Sequence, residues 1–127
     1  MPVEVHVVTP EREVWVGEAV QVTARGVDGD VGILAGHVPL LVQLAIGPLH
    51  ILRGDEPELA AVIDGGFMHV ASRDGVTRVD VMATHAELAS EIDLAEARRR
   101  LDAAQQRDDA AAAVEIAKAT ARIGLLG

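Results

Sequence analysis

Asp28-Gly29-Asp30-Val31-Gly32-Ile33-Leu34-Ala35-Gly36-His37-Val38-Pro39-Leu40-Leu41 is the stretch on which the reading of this chain turns. Gly29, Gly32 and Gly36 permit positive φ or close backbone approach, and Pro39 fixes its own φ and removes a donor. The aliphatic residues between them anchor the segment in a core. A generic strand has no need of that punctuation, so the stretch reads as a shaped loop seated on a β framework.

Working outward, the flanks have a period of two. Val3, Val5 and Val7 alternate with Glu4 and His6, and Ala19 to Arg25 repeats the alternation after a short segment at Val14 to Val16. Leu49 to Arg53 runs into a Gly54-Asp55-Glu56-Pro57 turn. Leu59 to Ile63, Asp64-Gly65-Gly66, Phe67 to Val70, a turn at Arg73-Asp74-Gly75, and Val76 to Met82 follow. Strands recurring with turn signals about every eight to twelve residues mark an all-β sandwich or barrel.

After Ala86 the period changes. Asp93 to Arg107 is rich in Ala, Leu, Glu, Arg and Gln, with Leu94, Ala97, Leu101 and Ala104 at helical spacing. Asp93 and Glu96 suit the N-cap and N3 positions, with Ser90 and Asp93 as a competing start. A second helix from Asp109 to Ile123 places Val114, Ala117 and Ala121 on one side, and Lys118 and Arg122 favour its end. The short break between the two implies an antiparallel hairpin. Its stripe is mostly alanine, worth on the order of 0.8 kcal/mol per methyl-sized group buried, so the hairpin is marginal alone and needs a surface to dock on. The expected organisation is a β-sandwich over residues 1–87 followed by a helical hairpin over residues 88–127.

Composition narrows the function. The chain has 127 residues, half of them apolar, with Trp15 and Phe67 as its only aromatics and no cysteine. That excludes disulfide scaffolds, thiol catalysis and cysteine zinc sites, and it fits a reducing compartment. Met1 to His6 does not read as a signal peptide, and the apolar run Val38 to Leu49 is too broken and short to span a bilayer. The net charge of −9 argues against nucleic acid or anionic lipid as direct partners. Basic residues number 5 against 12 acidic ones up to Ala86, and 6 against 8 beyond it.

Candidate chemistry is sparse. The five histidines, His6, His37, His50, His69 and His85, show no metal-ligand spacing, so no metal site is expected. His37 differs by lying among loop glycines, where a contact role or a structural hydrogen bond is favoured. Gly26 to Gly32 lacks a Gly-Lys-Ser/Thr signature and a following helix, which removes a phosphate cradle. Ser72 and Ser90 lack a nucleophile elbow. The chain therefore reads as no enzyme by itself. Arg98, Arg99, Arg100 and Arg107 put guanidinium groups on several helix faces, either paired with Glu96 and Asp102 or available to an acidic partner.

Several ordered blocks resemble a known family: Val8-Thr9-Pro10-Glu11-Arg12, Gly29 to Leu41, Gly47-Pro48-Leu49-His50-Ile51, Asp64-Gly65-Gly66-Phe67-Met68-His69-Val70 and Ala83-Thr84-His85-Ala86-Glu87. The chain is similar over about residues 3 to 87 to the epsilon subunits of bacterial F-type ATP synthases. The resemblance implies a β-sandwich of about ten strands followed by two antiparallel helices. It implies a non-catalytic rotor subunit in the central stalk, coupling proton-driven rotation of the membrane c-ring to the gamma subunit for ATP synthesis. It would sit peripherally on the cytoplasmic face of the cell membrane, reaching the membrane only through the complex.

Residue by residue, the resemblance assigns Asp30, Val31 and His37 to c-ring contact and Thr9 to gamma contact. The hairpin would restrain ATP hydrolysis at the alpha/beta head, with Arg98, Arg99, Arg100, Arg107 and Arg122 as docking or inhibitory residues. Many members carry an Ile/Leu-Asp-x-x-Arg-Ala motif associated in some with ATP; here Ile92-Asp93-Leu94-Ala95-Glu96-Ala97 has Glu96 where the arginine belongs. A carboxylate there repels a triphosphate, so weak or absent ATP binding and no cofactor are expected. The rival reading is a free-standing β-sandwich module whose glycine-rich loop holds a small ligand.

Overall fold

A computed structural model describes residues 2–127. Eight strands come first: β1 (Val3–Val8), β2 (Glu13–Ala19), β3 (Gln21–Gly26), β4 (Gly29–Leu34), β5 (Leu40–Leu52), β6 (Leu59–Arg73), β7 (Val76–Ala83) and β8 (Ala86–Leu88). A single 3₁₀ turn at Ala89–Glu91 leads into helices α1 (Leu94–Gln105) and α2 (Ala110–Leu126).

The strands are hydrogen-bonded in the order β2-β1-β7-β6-β5-β3-β4, with β8 added to β6. Two of them are long enough to serve both layers. The first part of β5 (residues 40–44) pairs with the second part of β6 (residues 66–70), while residues 46–51 of β5 pair with residues 59–64 of β6. Ala45 and Gly65 are skipped in that register, and Gly65 and Gly66 carry φ of +85° and +133°. The Asp64-Gly65-Gly66 segment therefore bends one continuous strand between two sequence segments that look separate. One layer is β2-β1-β7 with the second part of β6 and the first of β5; the other is β8 with the remaining halves of β6 and β5, then β3 and β4. Counted by layer the sandwich has ten strand segments, drawn from eight continuous strands.

The core follows from the alternation. Val3, Val5 and Val7 of β1, with Val79 and Val81 of β7 and Met68 and Val70 of β6 beside them, share one core with Leu49, Ile51, Val22 and Ile33 of the other layer, all nearly inaccessible. With two aromatics in the chain, close packing is met by branched aliphatics, which suit both strand backbone and interdigitation. Arg53 lies 5.9 Å from the Trp15 ring centre, within cation–π range.

The helices start where their caps are. Asp93 accepts from the Glu96 amide at 3.0 Å, and Asp109 accepts from the Ala112 amide at 2.7 Å, so each satisfies one orphan donor of its helix. The buried residues are Ala97 and Ala104 on α1, and Ala112, Ala119 and Arg122 on α2. The stripe expected on α2 is thereby corrected: Val114 is exposed, and the inward face is rotated to include an arginine. A run of alanines gives no hydrophobic contrast around the helix, so a sequence pattern cannot choose its face.

Candidate functional site

Three surfaces carry the polar chemistry. The first is the junction of hairpin and sandwich. Arg122 of α2 donates from Nε to Glu87 Oε1 at 2.7 Å, from Nη1 to Asp64 Oδ1 at 3.0 Å and from Nη2 to Asp64 Oδ2 at 2.7 Å. Nη1 also donates to the Lys118 carbonyl at 2.9 Å. The Asp64 side chain is 3% exposed and that of Arg122 10%. Burial alone would lower the Arg122 pKa, but its hydrogen bonds to Asp64 and Glu87 outweigh that and hold the guanidinium more firmly protonated than in water. Asp64 is placed by the β6 bend and Glu87 by β8, whose partner is Val62.

A cleft of about 220 Å³ opens beside this cluster. Five carboxylates line it, those of Asp64, Glu87, Asp93, Glu96 and Glu115, against the cations of Arg100, Lys118 and Arg122. Glu96 is held below the usual glutamate range by hydrogen bonds first from Arg99, then from Arg100. Arg99 and Arg100 thus belong to Glu96 on their own helix, and Arg107 to Asp109 in the interhelical turn. Arg98 is exposed, with no ion pair among the described residues. Of the five arginines singled out by sequence, only Arg122 reaches the sandwich.

The hairpin root has its own tie. Arg12 forms a bidentate pair with Glu91, at 2.8 and 2.9 Å, and donates to the Ala86 carbonyl at 3.2 Å. Glu91 is held below its usual range by Arg12 first, then by the Leu88 amide. Sequence reasoning did not single out Asp64, Glu87 or Arg12–Glu91 as a site, because residues that pair across 79 and 58 positions leave no local spacing to find. The only signal was that Arg12, Asp64 and Glu87 stand within the family-like blocks.

The second surface is the outer face of the β2-β1-β7 layer. The register sets Val8, Met82, Phe67 and Gln43 side by side across four strands, and the next row is Val16, His6, Asp80, His69 and Leu41. Phe67, Met82, Val16 and Leu41 are all exposed there, which makes an apolar stripe rimmed by charge. Thr9 adjoins its end, in a turn closed by its bonds with Arg12.

The third surface is the glycine-rich segment. Asp30 accepts from Arg25 Nε at 3.1 Å near the β3–β4 turn, and Val31 is half-buried. His37 Nδ1 donates to the Val38 carbonyl at 2.7 Å. The Gly36 amide donates to Thr77 Oγ1 at 2.7 Å, tying the loop to β7. Asp30 and His37 stand at opposite ends of β4, separated by about 13 Å of strand from Asp30 to Leu34 alone. The ligand-cradle reading is not favoured, since Gly29 and Gly32 are used in pairing β4 with β3. Among the described residues no cluster of His, Cys, Asp and Glu has metal-binding geometry.

Fold and surfaces define a two-part interaction protein: a β-sandwich with a docked helical hairpin and an exposed apolar stripe. Residues 2–89 match the family model described as the ATP synthase delta/epsilon chain, beta-sandwich domain. The ATP synthase epsilon chain of Thermobifida fusca is 42% identical over 123 residues, covering 94% of this chain and 88% of that one. That of Corynebacterium jeikeium is 36% identical, covering 93% and 94%. In solved structures, a chain of the Euglena gracilis mitochondrial ATP synthase, in an assembly described as OSCP/F1/c-ring in rotational state 1, has the same fold. It aligns with a TM-score of 0.85 at 24% identity, over 99% of this chain and 82% of that chain. The chain belongs to the delta/epsilon family of ATP synthase subunits, and its bacterial relatives are epsilon chains.

Proposed function

We propose that this chain is the non-catalytic epsilon-type subunit of a rotor, transmitting torque from a proton-driven membrane ring to the shaft of the enzyme. The single observation that carries the reading is the exposed apolar stripe of Met82, Phe67, Val16 and Leu41, on a sandwich of the delta/epsilon family with epsilon-chain relatives. A stripe of that kind on an acidic, aromatic-poor chain suits a protein partner. In this reading gamma covers the stripe and Thr9, while Asp30, Val31 and His37 meet the polar loops of the c-ring. The subunit then lies peripherally on the cytoplasmic face of the membrane.

The hairpin is read as the restraint on ATP hydrolysis, reaching the alpha/beta head when it leaves the sandwich. Its alanine-rich packing supports this, because a two-position element needs states a few kcal/mol apart. The cleft beside it is read as a poor ATP site, since Glu96 and four further carboxylates in its lining outnumber the three cations there. The test is ATP hydrolysis and proton pumping by the assembled complex with and without residues 88–127. Removal should raise hydrolysis and leave pumping intact. Unchanged hydrolysis would remove the restraint, and loss of pumping would show that the hairpin is needed for coupling.

A further inference from the structure

We infer that Arg122, seated on Asp64 and Glu87, is the clasp that holds the helical hairpin on the sandwich, and that it does so with no bound nucleotide. Apolar contact across this junction is thin. The fully buried side chains of α2 are Ala112, Ala119 and Arg122; Ile116, Ile123 and Leu125 are half-buried, and between α2 and β5 a groove of about 720 Å³ stays open. Arg12–Glu91 fixes only the root, ahead of the first helix. What remains is one guanidinium with four of its five N–H groups committed, three of them to carboxylates of two adjacent strands.

The geometry makes the clasp close to all-or-none. The Asp64 carboxylate is almost inaccessible while the hairpin is down, so losing its cation leaves a buried charge unpaired, the costly half of a buried ion pair. Undocking hydrates Asp64, Glu87 and Arg122 together. A triphosphate gains little here, because four of the five Arg122 donors are occupied and the five carboxylates lining the cleft outnumber its three cations, Arg100, Lys118 and Arg122. The regulatory consequence, that the hairpin of this chain answers to its own ion cluster, rests on the restraint proposed above; the docking itself is tested apart from the complex.

The chain has no cysteine, so Ser72→Cys and Ala103→Cys, both exposed, provide unique sites for a donor and acceptor dye on the full chain. Energy transfer should report a docked hairpin equally with and without millimolar magnesium-ATP. Arg122→Gln and, separately, Asp64→Asn should raise the undocked fraction at least about tenfold. Arg122→Lys should restore it only in part, since one ammonium cannot fork between two carboxylates. The inference is overturned if Arg122→Gln keeps wild-type transfer, or if magnesium-ATP increases the docked fraction of the wild type. Trp15 fluorescence on melting checks that the sandwich is intact. If Arg122→Gln unfolds it, Glu87→Gln decides: release upholds the clasp, and unchanged transfer refutes it. If the variants undock in isolation while hydrolysis by the complex is unaltered, the clasp stands and the restraint reading fails.

Discussion

Replacing Gly66 by alanine tests whether close strand approach sets the bend of β6, and Gly29 supplies an internal control. Both glycines have φ of +133°, where an L side chain is strained by on the order of 1–3 kcal/mol. At Gly29 an added Cβ meets nothing within 4 Å. At Gly66 it would lie 2.2 Å from the Met82 carbonyl oxygen and 2.8 Å from Ala83 Cα, both backbone atoms of β7. Relief requires β7 to retreat by about 1 Å at the pair Gly66↔Ala83, straining the neighbouring bond from the Thr84 amide to the Gly65 carbonyl. Overpacking of this kind costs about 1–3 kcal/mol, and a weakened ladder bond about 1 kcal/mol more. Gly66→Ala should therefore be destabilised by about 2–4 kcal/mol beyond Gly29→Ala, a midpoint some 6–20 °C lower for a chain of this size. Urea titration of both variants, followed by Trp15 fluorescence with slopes compared, measures it. Equal midpoints would refute the reasoning, because φ strain alone would then account for both glycines.

Phe67→Asp sets a charge in the middle of the apolar stripe; with Phe67 about half exposed, the isolated chain should keep its stability within about 1 kcal/mol while capture of gamma falls at least about tenfold. Undiminished capture would move the gamma surface elsewhere. Asp30→Arg breaks an exposed pair with Arg25 worth at most about 1 kcal/mol, so folding should survive while ATP-driven pumping in membrane vesicles drops and hydrolysis persists. His37→Ala should act alike, and normal pumping in both variants would remove this segment from the ring contact. Acid should loosen the hairpin. Glu91 is depressed by Arg12, Glu96 by Arg99 and Asp109 chiefly by the Ala112 amide, so the stability each contributes is complete above the ordinary carboxylate range and is lost as pH falls below that range through the depressed native value. Far-UV circular dichroism should show helical signal fading below about pH 4 ahead of the sandwich, and a helical signal constant down to about pH 2.5 would contradict it.

The alternation of Val3, Val5 and Val7, the turn at Arg73-Asp74-Gly75 and the capping residue Asp93 were all legible, because strand period and helix caps are local physics. The same holds for the change of period after Ala86. The family-like blocks carried the functional reading further than any catalytic or metal signature in the chain.

Long-range pairing was beyond such patterns. That Asp64-Gly65-Gly66 bends a strand instead of ending it depends on β7 lying within contact of Gly66, and sequence spacing does not encode that neighbour. The inward face of α2 was decided by where Asp64 and Glu87 stand, since its alanines give no preferred side. Arg122, which near a helix terminus reads as a favourable charge on the dipole, is buried only because two carboxylates from other strands converge on it. By itself the sequence determined the period-two strands, both helices, the core composition and the family, whereas Gly29–Leu34, which reads as a loop, is strand β4 because β3 lies alongside to pair with it. The tertiary structure alone decided how the hairpin is held, because an ion cluster exists only once β6, β8 and α2 are brought together.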